Sequence, residues 1–272
     1  MSVSLFNFIY YLCSMKTTII GSGNVAEAFA TALKKGGHSV VQIFARNEQR
    51  GRFVAQIADC EWCNNAANLK EAELYLICVS DRAIREVASS LPFAKGAIVA
   101  HTAGCGTLDM LPEGLNRAII YPFQTFSKGR QVDFSKFYLF IEAENSDTYN
   151  KAVAFAKSLT EHVADADALL RSKIHLTGVI ASNFVNNMYS TAAEVLSEAG
   201  LGFDVVAPVI AETAAKALDS GNPATVQTGP AVRGDSSTME RHRGLIGDNS
   251  LLRTIYDKIS ENIWRIKEIS KR

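Results

Sequence analysis

Lys16-Thr17-Thr18-Ile19-Ile20-Gly21-Ser22-Gly23-Asn24-Val25-Ala26 is the stretch on which the reading turns. A short β-rich run ends in glycine, and Ala26, Phe29, Ala30 and Leu33 then recur at helical spacing until Gly36-Gly37 stops them. Between strand and helix stands G-x-G-x-x-A. Its first glycine permits a tight turn. Its second lets the backbone approach a pyrophosphate with no Cβ in the way, and its third small residue lets helix and strand pack closely. A pyrophosphate there meets free N–H groups and the positive end of the helix dipole. In isolation the pattern is weak. After a strand and at the start of a helix, it is expected to bind a dinucleotide through Gly21, Ser22, Gly23, Asn24, Val25 and Ala26. The competing reading is a glycine-rich turn with no ligand.

Outward from this turn, strands and helices alternate. Residues 39–44 read as a strand and 48–58 as a helix. Residues 74–79 form a continuous apolar run, the pattern of a strand buried on both faces. Asp81 can cap a helix that runs to Leu91 and stops at Pro92. Strands follow at 97–100, 118–121 and 137–141, then a helix at 148–159 and a closing strand at 162–164. This alternation predicts an α/β fold: a doubly wound, mostly parallel Rossmann sheet with helices on both faces. Past residue 165 no β-rich run remains. Residues 169–198, 205–218 and 251–269 are helical in pattern, the last with a stripe of Leu252, Ile255, Ile259, Ile263, Ile266 and Ile269. The expected domains are a dinucleotide-binding domain at 15–166 and an all-helical C-terminal domain at 167–272.

The 272 residues, 47% hydrophobic, can bury a sizeable core. The 28 basic and 28 acidic residues cancel, so nothing points to nucleic acid or an anionic membrane. The cysteine count, five, is odd, which argues against a disulfide framework and for a cytoplasmic location. Cys60-Glu-Trp-Cys63 has redox or zinc spacing, but no second pair or nearby histidine completes a metal site, and none is expected. Residues 3–13 are apolar, too short to span a bilayer, and lack the marks of a signal peptide. With Met15 just before the first strand, they read as a start placed too early or a loose leader, with targeting or anchoring as the alternative.

The tip of the second strand selects the cofactor. An NAD-binding chain carries an acidic residue there, about 20 residues past the glycines, for the ribose hydroxyls. This chain reads Phe44-Ala45-Arg46-Asn47, with Arg50 a helical turn on. An arginine can fork onto the extra phosphate of NADP and stack on the adenine, so NADP is expected through Arg46, Asn47 and Arg50. The alternative for Arg46 is a solvated surface charge. Val79-Ser80 and His101-Thr102-Ala103 fall at the ligand-binding edge of the same sheet, and Ser80 and Thr102 can bond ribose or nicotinamide or serve only as turn and cap residues.

Gly21-Ser-Gly-Asn-Val-Ala26, His101-Thr-Ala-Gly104, Tyr121-Pro-Phe-Gln-Thr-Phe126, Ile180-Ala-Ser-Asn183 and Gly229-Pro-Ala-Val-Arg-Gly-Asp235, with Thr238 and His242, together carry a resemblance. The chain resembles Rossmann-fold NADP oxidoreductases with a C-terminal helical domain of unknown function. These are distant relatives of pyrroline-carboxylate reductase, ketopantoate reductase and the β-hydroxyacid dehydrogenases. The resemblance implies NADP at the first motif, a cleft between domains, and a homodimer formed by the helical domains. It implies no settled substrate. In the related dehydrogenases an asparagine on the long helix positions substrate and a lysine one turn earlier acts as acid. Asn183 matches the first, and Val179 stands in place of the lysine.

Asn183, Asn186 and Asn187 share a helix face, with His175 two turns earlier, which reads as a polar pocket or a helix–helix network. Ser237 with Glu240 reads as a capping box, with Arg233 and Asp235 before it and His242 on the helix. Arg233, Arg241 and Arg243 can form a basic pocket for an anionic substrate. The alternative is a structural knot in which Asp235 holds Arg233. The candidate catalytic residues are therefore His242, Asn183, His175, Arg233 and Asp235, and His101, His175 and His242 are the candidate proton donors. Two further readings stand beside the reductase of a small C=O or C=N compound. One is a non-catalytic NADP-binding sensor or regulatory protein, and the other is hydride exchange with a flavin-like carrier.

Overall fold

The computed structural model describes residues 15–270, and the apolar segment at 3–13 lies outside them. The first elements are β1 (Thr17–Ile20), α1 (Asn24–Lys35), β2 (Val40–Phe44), α2 (Glu48–Ala58), β3 (Glu61–Cys63), β4 (Leu74–Ile77), α3 (Asp81–Ser90) and β5 (Ile98–His101). Then follow β6 (Asn116–Pro122), β7 (Leu139–Ala143), α4 (Ser146–Lys157) and β8 (Val163–Asp165). All the strands join one sheet in the order β3-β2-β1-β4-β5-β6-β7-β8. Every neighbouring pair is parallel except β6 with β7. The chain builds outward from β1 to β3, returns to β4 and builds the other way. The crevice at the carboxyl ends of β1 and β4 is thus the topological switch point, where ligands of such sheets bind.

The central strands are buried along their whole length because helices cover both faces, and their few polar residues, Thr17, Thr18 and His101 among them, are buried with the rest. Every residue of β1, β4 and β5 is buried. From α1 the stripe Ala26, Phe29, Ala30 and Leu33 is completely buried against β1 and its neighbours. Burial of this kind stabilises by about 25 cal/mol per Å² of apolar surface, which fixes the glycine turn between two immobile elements.

Three details depart from the sequence reading. β3 was not expected: it is a three-residue edge strand whose pattern is hidden by exposed Glu61, and it is tied down by Trp62 Nε1 donating to Ala45 O at 2.9 Å. β7 begins two residues later than expected and runs antiparallel, a direction that apolar patterning alone does not report. The expected helix at 169–198 is α5 (Ala168–Gly178), a π-helical segment (Val179–Phe184) and α6 (Val185–Glu198). Such π segments interrupt the 3.6-residue phase and recur at functional sites.

One compact unit ends at Asn186 and a second begins at Asn187. In the second, the regular elements among the described residues are helical: the rest of α6, α7 (Ala207–Asp219), α8 (Pro230–Arg233), α9 (Ser236–Ile246) and α10 (Ser250–Ser270). Among the described residues there, only Ala231 and Ser260 are buried, while Leu218 and Leu245 are each 83% exposed. No helix among the described residues is long and apolar enough to cross a membrane.

Candidate functional site

At the carboxyl ends of β1, β2 and β4 lies a cleft of about 280 Å³, bordered by Gly21, Ser22, Gly23, Arg46, Asn47, Val79 and Ser80. The two glycines do different work. Gly21 has φ +122°, and a Cβ there would stand 2.3 Å from the Cys78 carbonyl oxygen. Only glycine passes the chain that close to β4. Gly23 precedes α1 as its N-cap, with φ −76° and no side-chain cap. Nothing lies within 4 Å of a Cβ built on it. The space beside Gly23 is therefore open where α1 begins, and the first N–H groups of a helix have no intrahelical partner, a cradle of the kind that takes a pyrophosphate. The residues present fit a dinucleotide.

Of the rest of the motif, Ala26 is fully buried, Val25 is half-buried, and Asn24 donates from Nδ2 to Phe126 O at 3.0 Å. Arg46 is exposed at the tip of β2 and makes no ion pair among the described residues. Glu48, the nearest acid, is spent on Arg52 at 2.8 Å within α2. Arg50 does not stand free as expected. Its Nη2 pairs with Glu27 at 2.6 Å and its Nε donates to Ser22 O at 3.3 Å, so it braces the glycine turn from behind. Asn47 caps α2 by accepting from the Arg50 N–H at 2.9 Å. Ser80 precedes α3 without capping it, which leaves its hydroxyl to the cleft.

The strand end at His101 holds a different arrangement from the one expected. His101 is completely buried. Its Nδ1 accepts from the Ala103 N–H and its Nε2 faces Thr107 O, both at 3.2 Å. Burial pushes its pKa down to about 4. A neutral imidazole with both nitrogens engaged pins the loop and cannot serve as a proton donor. Thr102 Oγ1 donates to Ile77 O at 3.4 Å, and Ala103 is buried.

Next to that loop, Tyr121 Oη lies 3.2 Å from His175 Nδ1. Neither the pairing nor Tyr121 as a site residue was legible in the sequence, because the partners are 54 residues apart. Arg171, one turn before His175, was also missed. It is completely buried, bonds Glu142, Gly106 O and Ala166 O (the last at 3.1 Å), and leaves Nε without a partner among the described residues. One lone arginine in the apolar start of α5 was the available signal. Asn183 lies in the π segment and, like Asn186 and Asn187, is exposed, so a buried polar pocket is not what groups them.

In the second unit, Asp235 caps α9, accepting from the Thr238 N–H at 3.0 Å and from the Thr238 and Ser237 hydroxyls at 2.8 and 2.9 Å. These bonds hold its pKa down at about 2. The expected Ser237–Glu240 capping box is therefore replaced by Asp235 alone. His242 Nδ1 lies 2.9 Å from Tyr256 Oη. Arg243 is spent on Asp257 and Glu240, and Arg241 donates to Thr238 Oγ1, whereas exposed Arg233 makes no ion pair among the described residues. Cys60 and Cys63 are free thiols, and no group of three or more metal-ligating residues occurs among the described residues.

The chain matches the model of a Rossmann-like domain over residues 11–120 and that of a domain of unknown function (DUF2520) over residues 137–263. A candidate NADP oxidoreductase of Bacteroides fragilis is 33% identical over 94% of this chain and 99% of its own, with a TM-score of 0.85. A reductive aminase of Aspergillus terreus, solved with NADPH and ethyl-5-oxohexanoate, is 14% identical over 94% and 99%, TM-score 0.63. A 1-pyrroline-5-carboxylate reductase of Streptococcus pyogenes is 14% identical over 92% and 98%, TM-score 0.60. The last two likenesses show the fold. No curated protein matches the chain by sequence.

Proposed function

The chain belongs to the family that joins a Rossmann-like domain to a DUF2520 domain and that includes the Bacteroides fragilis relative, and from this we propose that it is an NADPH-dependent reductase of a small C=O or C=N compound. The observation that carries the reading is the cleft at the switch point, with open space above the N-terminus of α1 and, at its rim, an Arg46 that makes no ion pair among the described residues. Gly21, Gly23 and the α1 N-terminus would hold the pyrophosphate, Arg46 the 2′-phosphate, and Ser80 the nicotinamide side. When bound, the reduced nicotinamide supplies a hydride, and the protein's part is orientation and one proton. The competing reading, a non-catalytic NADP sensor, draws on Val179, which stands where related dehydrogenases carry a lysine.

The same reading makes the chain a cytoplasmic homodimer joined through its helical half. The exposed apolar residues of that half, Val209, Leu218, Leu245 and Leu251 among them, support it, since a lone unit with so little buried surface is poorly stabilised. Arg233, Asn183 and His242 remain candidates for holding substrate, and an anionic group would draw on Arg233. Titration of cofactor fluorescence tests the proposal. NADPH is expected to bind at least about tenfold tighter than NADH, a gap of about 1.4 kcal/mol. Binding of neither would remove the cofactor site and the reductase with it. Binding of NADPH licenses a screen of carbonyl and imine compounds.

A further inference from the structure

Tyr121 is the penultimate residue of β6, and its ring is 9% exposed. Its hydroxyl meets His175 Nδ1 at 3.2 Å, with ring centroids 6.1 Å apart. Two glycines make the meeting possible. A Cβ on Gly104 would stand 2.5 Å from His175 Nδ1 and 3.0 Å from Tyr121 Cζ. A Cβ on Gly178 would stand 2.8 Å from Cε2 of Phe123, whose ring packs on Tyr121 at 6.3 Å. Arg171 ties the helix turn that carries His175 to the loop after β5 through Gly106 O. The pair is held from three segments of chain.

Its place in the sheet matters as much as its contact. β5 and β6 are the strands next out from β4, and neighbouring strands lie about 4.8 Å apart. The pair therefore sits at the carboxyl edge two strands, about 10 Å, beyond the strand that borders the cofactor cleft. Burial, with lesser help from Cys105 and Asp81 and opposed by Arg171, pushes the Tyr121 phenol up to about 12. It therefore keeps its proton at neutral pH. His101 is buried and doubly bonded, so the loop offers no rival donor.

We propose that Tyr121 and His175 form a proton-delivery dyad in which the Tyr121 hydroxyl protonates the substrate and His175 restores the proton. The inference rests on the reductase reading above. As the C=N or C=O π bond opens toward the delivered hydride, the Tyr121 Oη–H bond breaks and its proton passes to the substrate nitrogen or oxygen. The Nδ1 proton of His175 moves to the phenolate oxygen, and Nε2, which makes no hydrogen bond among the described residues, takes a proton from solvent. The net consumption is one solvent proton, and exchange with solvent returns the ring to its first tautomer.

The test uses the full chain with Tyr121→Phe, His175→Gln and, as a control, Tyr149→Phe, which removes only the hydroxyl on Asp165. Without cofactor, side-chain ¹⁵N NMR of His175 is expected to show a changed tautomer balance in Tyr121→Phe but not in Tyr149→Phe. With NADPH and whichever member of the carbonyl and imine panel the wild type reduces, Tyr121→Phe is expected to lose at least about 100-fold in kcat. Its NADPH Kd is expected to stay within about twofold. His175→Gln is expected to lose less. An unchanged His175 tautomer balance, or full kcat in Tyr121→Phe alongside normal NADPH binding, overturns the dyad and leaves the reductase standing. Loss of activity in His242→Gln with Tyr121→Phe intact assigns the proton elsewhere and does the same. A wild type that binds NADPH but reduces nothing in the panel overturns the reductase reading and the dyad together.

Discussion

Gly21→Ala and Gly23→Ala are expected to fail in opposite ways, although the two glycines are two residues apart. At Gly21 the backbone has φ +122°, and holding an L-residue in such a conformation costs about 1–3 kcal/mol. The new Cβ would also lie 2.3 Å from the oxygen and 2.8 Å from the carbon of the Cys78 carbonyl. That carbonyl cannot swing away easily, because Cys78 N donates to Ile20 O at 2.7 Å in the junction between β1 and β4. Forced overpacking adds about 1–3 kcal/mol. The sum, about 4 kcal/mol, corresponds to a fall in Tm of roughly 8–16 °C at about 2–4 °C per kcal/mol for a chain of this size. At Gly23 φ is −76° and no heavy atom lies within 4 Å of the added carbon. Its stability is expected to stay within about 0.5 kcal/mol of wild type. The methyl group instead occupies the space above the first N–H groups of α1, and NADPH affinity is expected to fall at least about tenfold. Thermal unfolding and a fluorescence titration, run on both variants, separate the effects. A Gly23→Ala protein that binds NADPH like wild type would refute the placement of the pyrophosphate. A Gly21→Ala protein that melts at the wild-type temperature would refute the close approach.

Arg46→Glu is expected to weaken NADPH by about 1.5–3 kcal/mol, the loss of a charge-assisted contact, and to spare NADH; equal loss of both in parallel titrations would mean Arg46 does not read the phosphate. Glu142→Ala leaves the fully buried Arg171 guanidinium without its carboxylate. Such orphaning costs about 3–5 kcal/mol, and the lower end is expected because Glu142 is 23% exposed; a urea midpoint unchanged from wild type would refute it. His101 has a pKa of about 4 in the fold against 6.5 in the unfolded chain. As pH falls the unfolded chain takes the proton first, so the contribution is complete above about 6.5 and is lost as pH drops through about 4. At about 1.4 kcal/mol per unit it amounts to about 3–4 kcal/mol. His101→Gln is expected to lose less stability than wild type between pH 7 and 4 in urea titrations, and parallel losses would assign the acid sensitivity to other groups.

The parts of the fold that were legible are those imposed by backbone geometry and by continuous burial. Ile19 and Ile20 before Gly21, and Leu74 to Ile77, read as buried strands because helices on both faces leave no polar position in them. The tight turn between β1 and α1 was legible because a missing Cβ is visible in a sequence, and its use by a cofactor is the proposal. What failed to show were properties set by distant partners. Arg50 was taken for a phosphate ligand because it stands one turn from Arg46, and its capture by Glu27 depends on how α1 and α2 pack. His101 sits at a ligand-bearing strand end, yet its ring turns inward to Thr107 O. The asparagines of the long helix were placed on one face by a 3.6-residue period that the π segment at Val179–Phe184 breaks.

The same division separates the cofactor from the chemistry. A dinucleotide is held by main-chain N–H groups, a helix end and a shape, and those demand glycine at fixed spacing within one βαβ unit. Proton delivery demands only that two side chains meet with the right acidity, and any two segments that the sheet brings to one edge can supply them. Here Tyr121 comes from the end of β6 and His175 from the helix after β8, and the residues that permit their contact, Gly104 and Gly178, have ordinary backbone angles and stand in no sequence pattern that links that strand to that helix. A local fingerprint of the proposed proton donor is therefore not to be expected in this chain, whereas the proposed cofactor turn requires one.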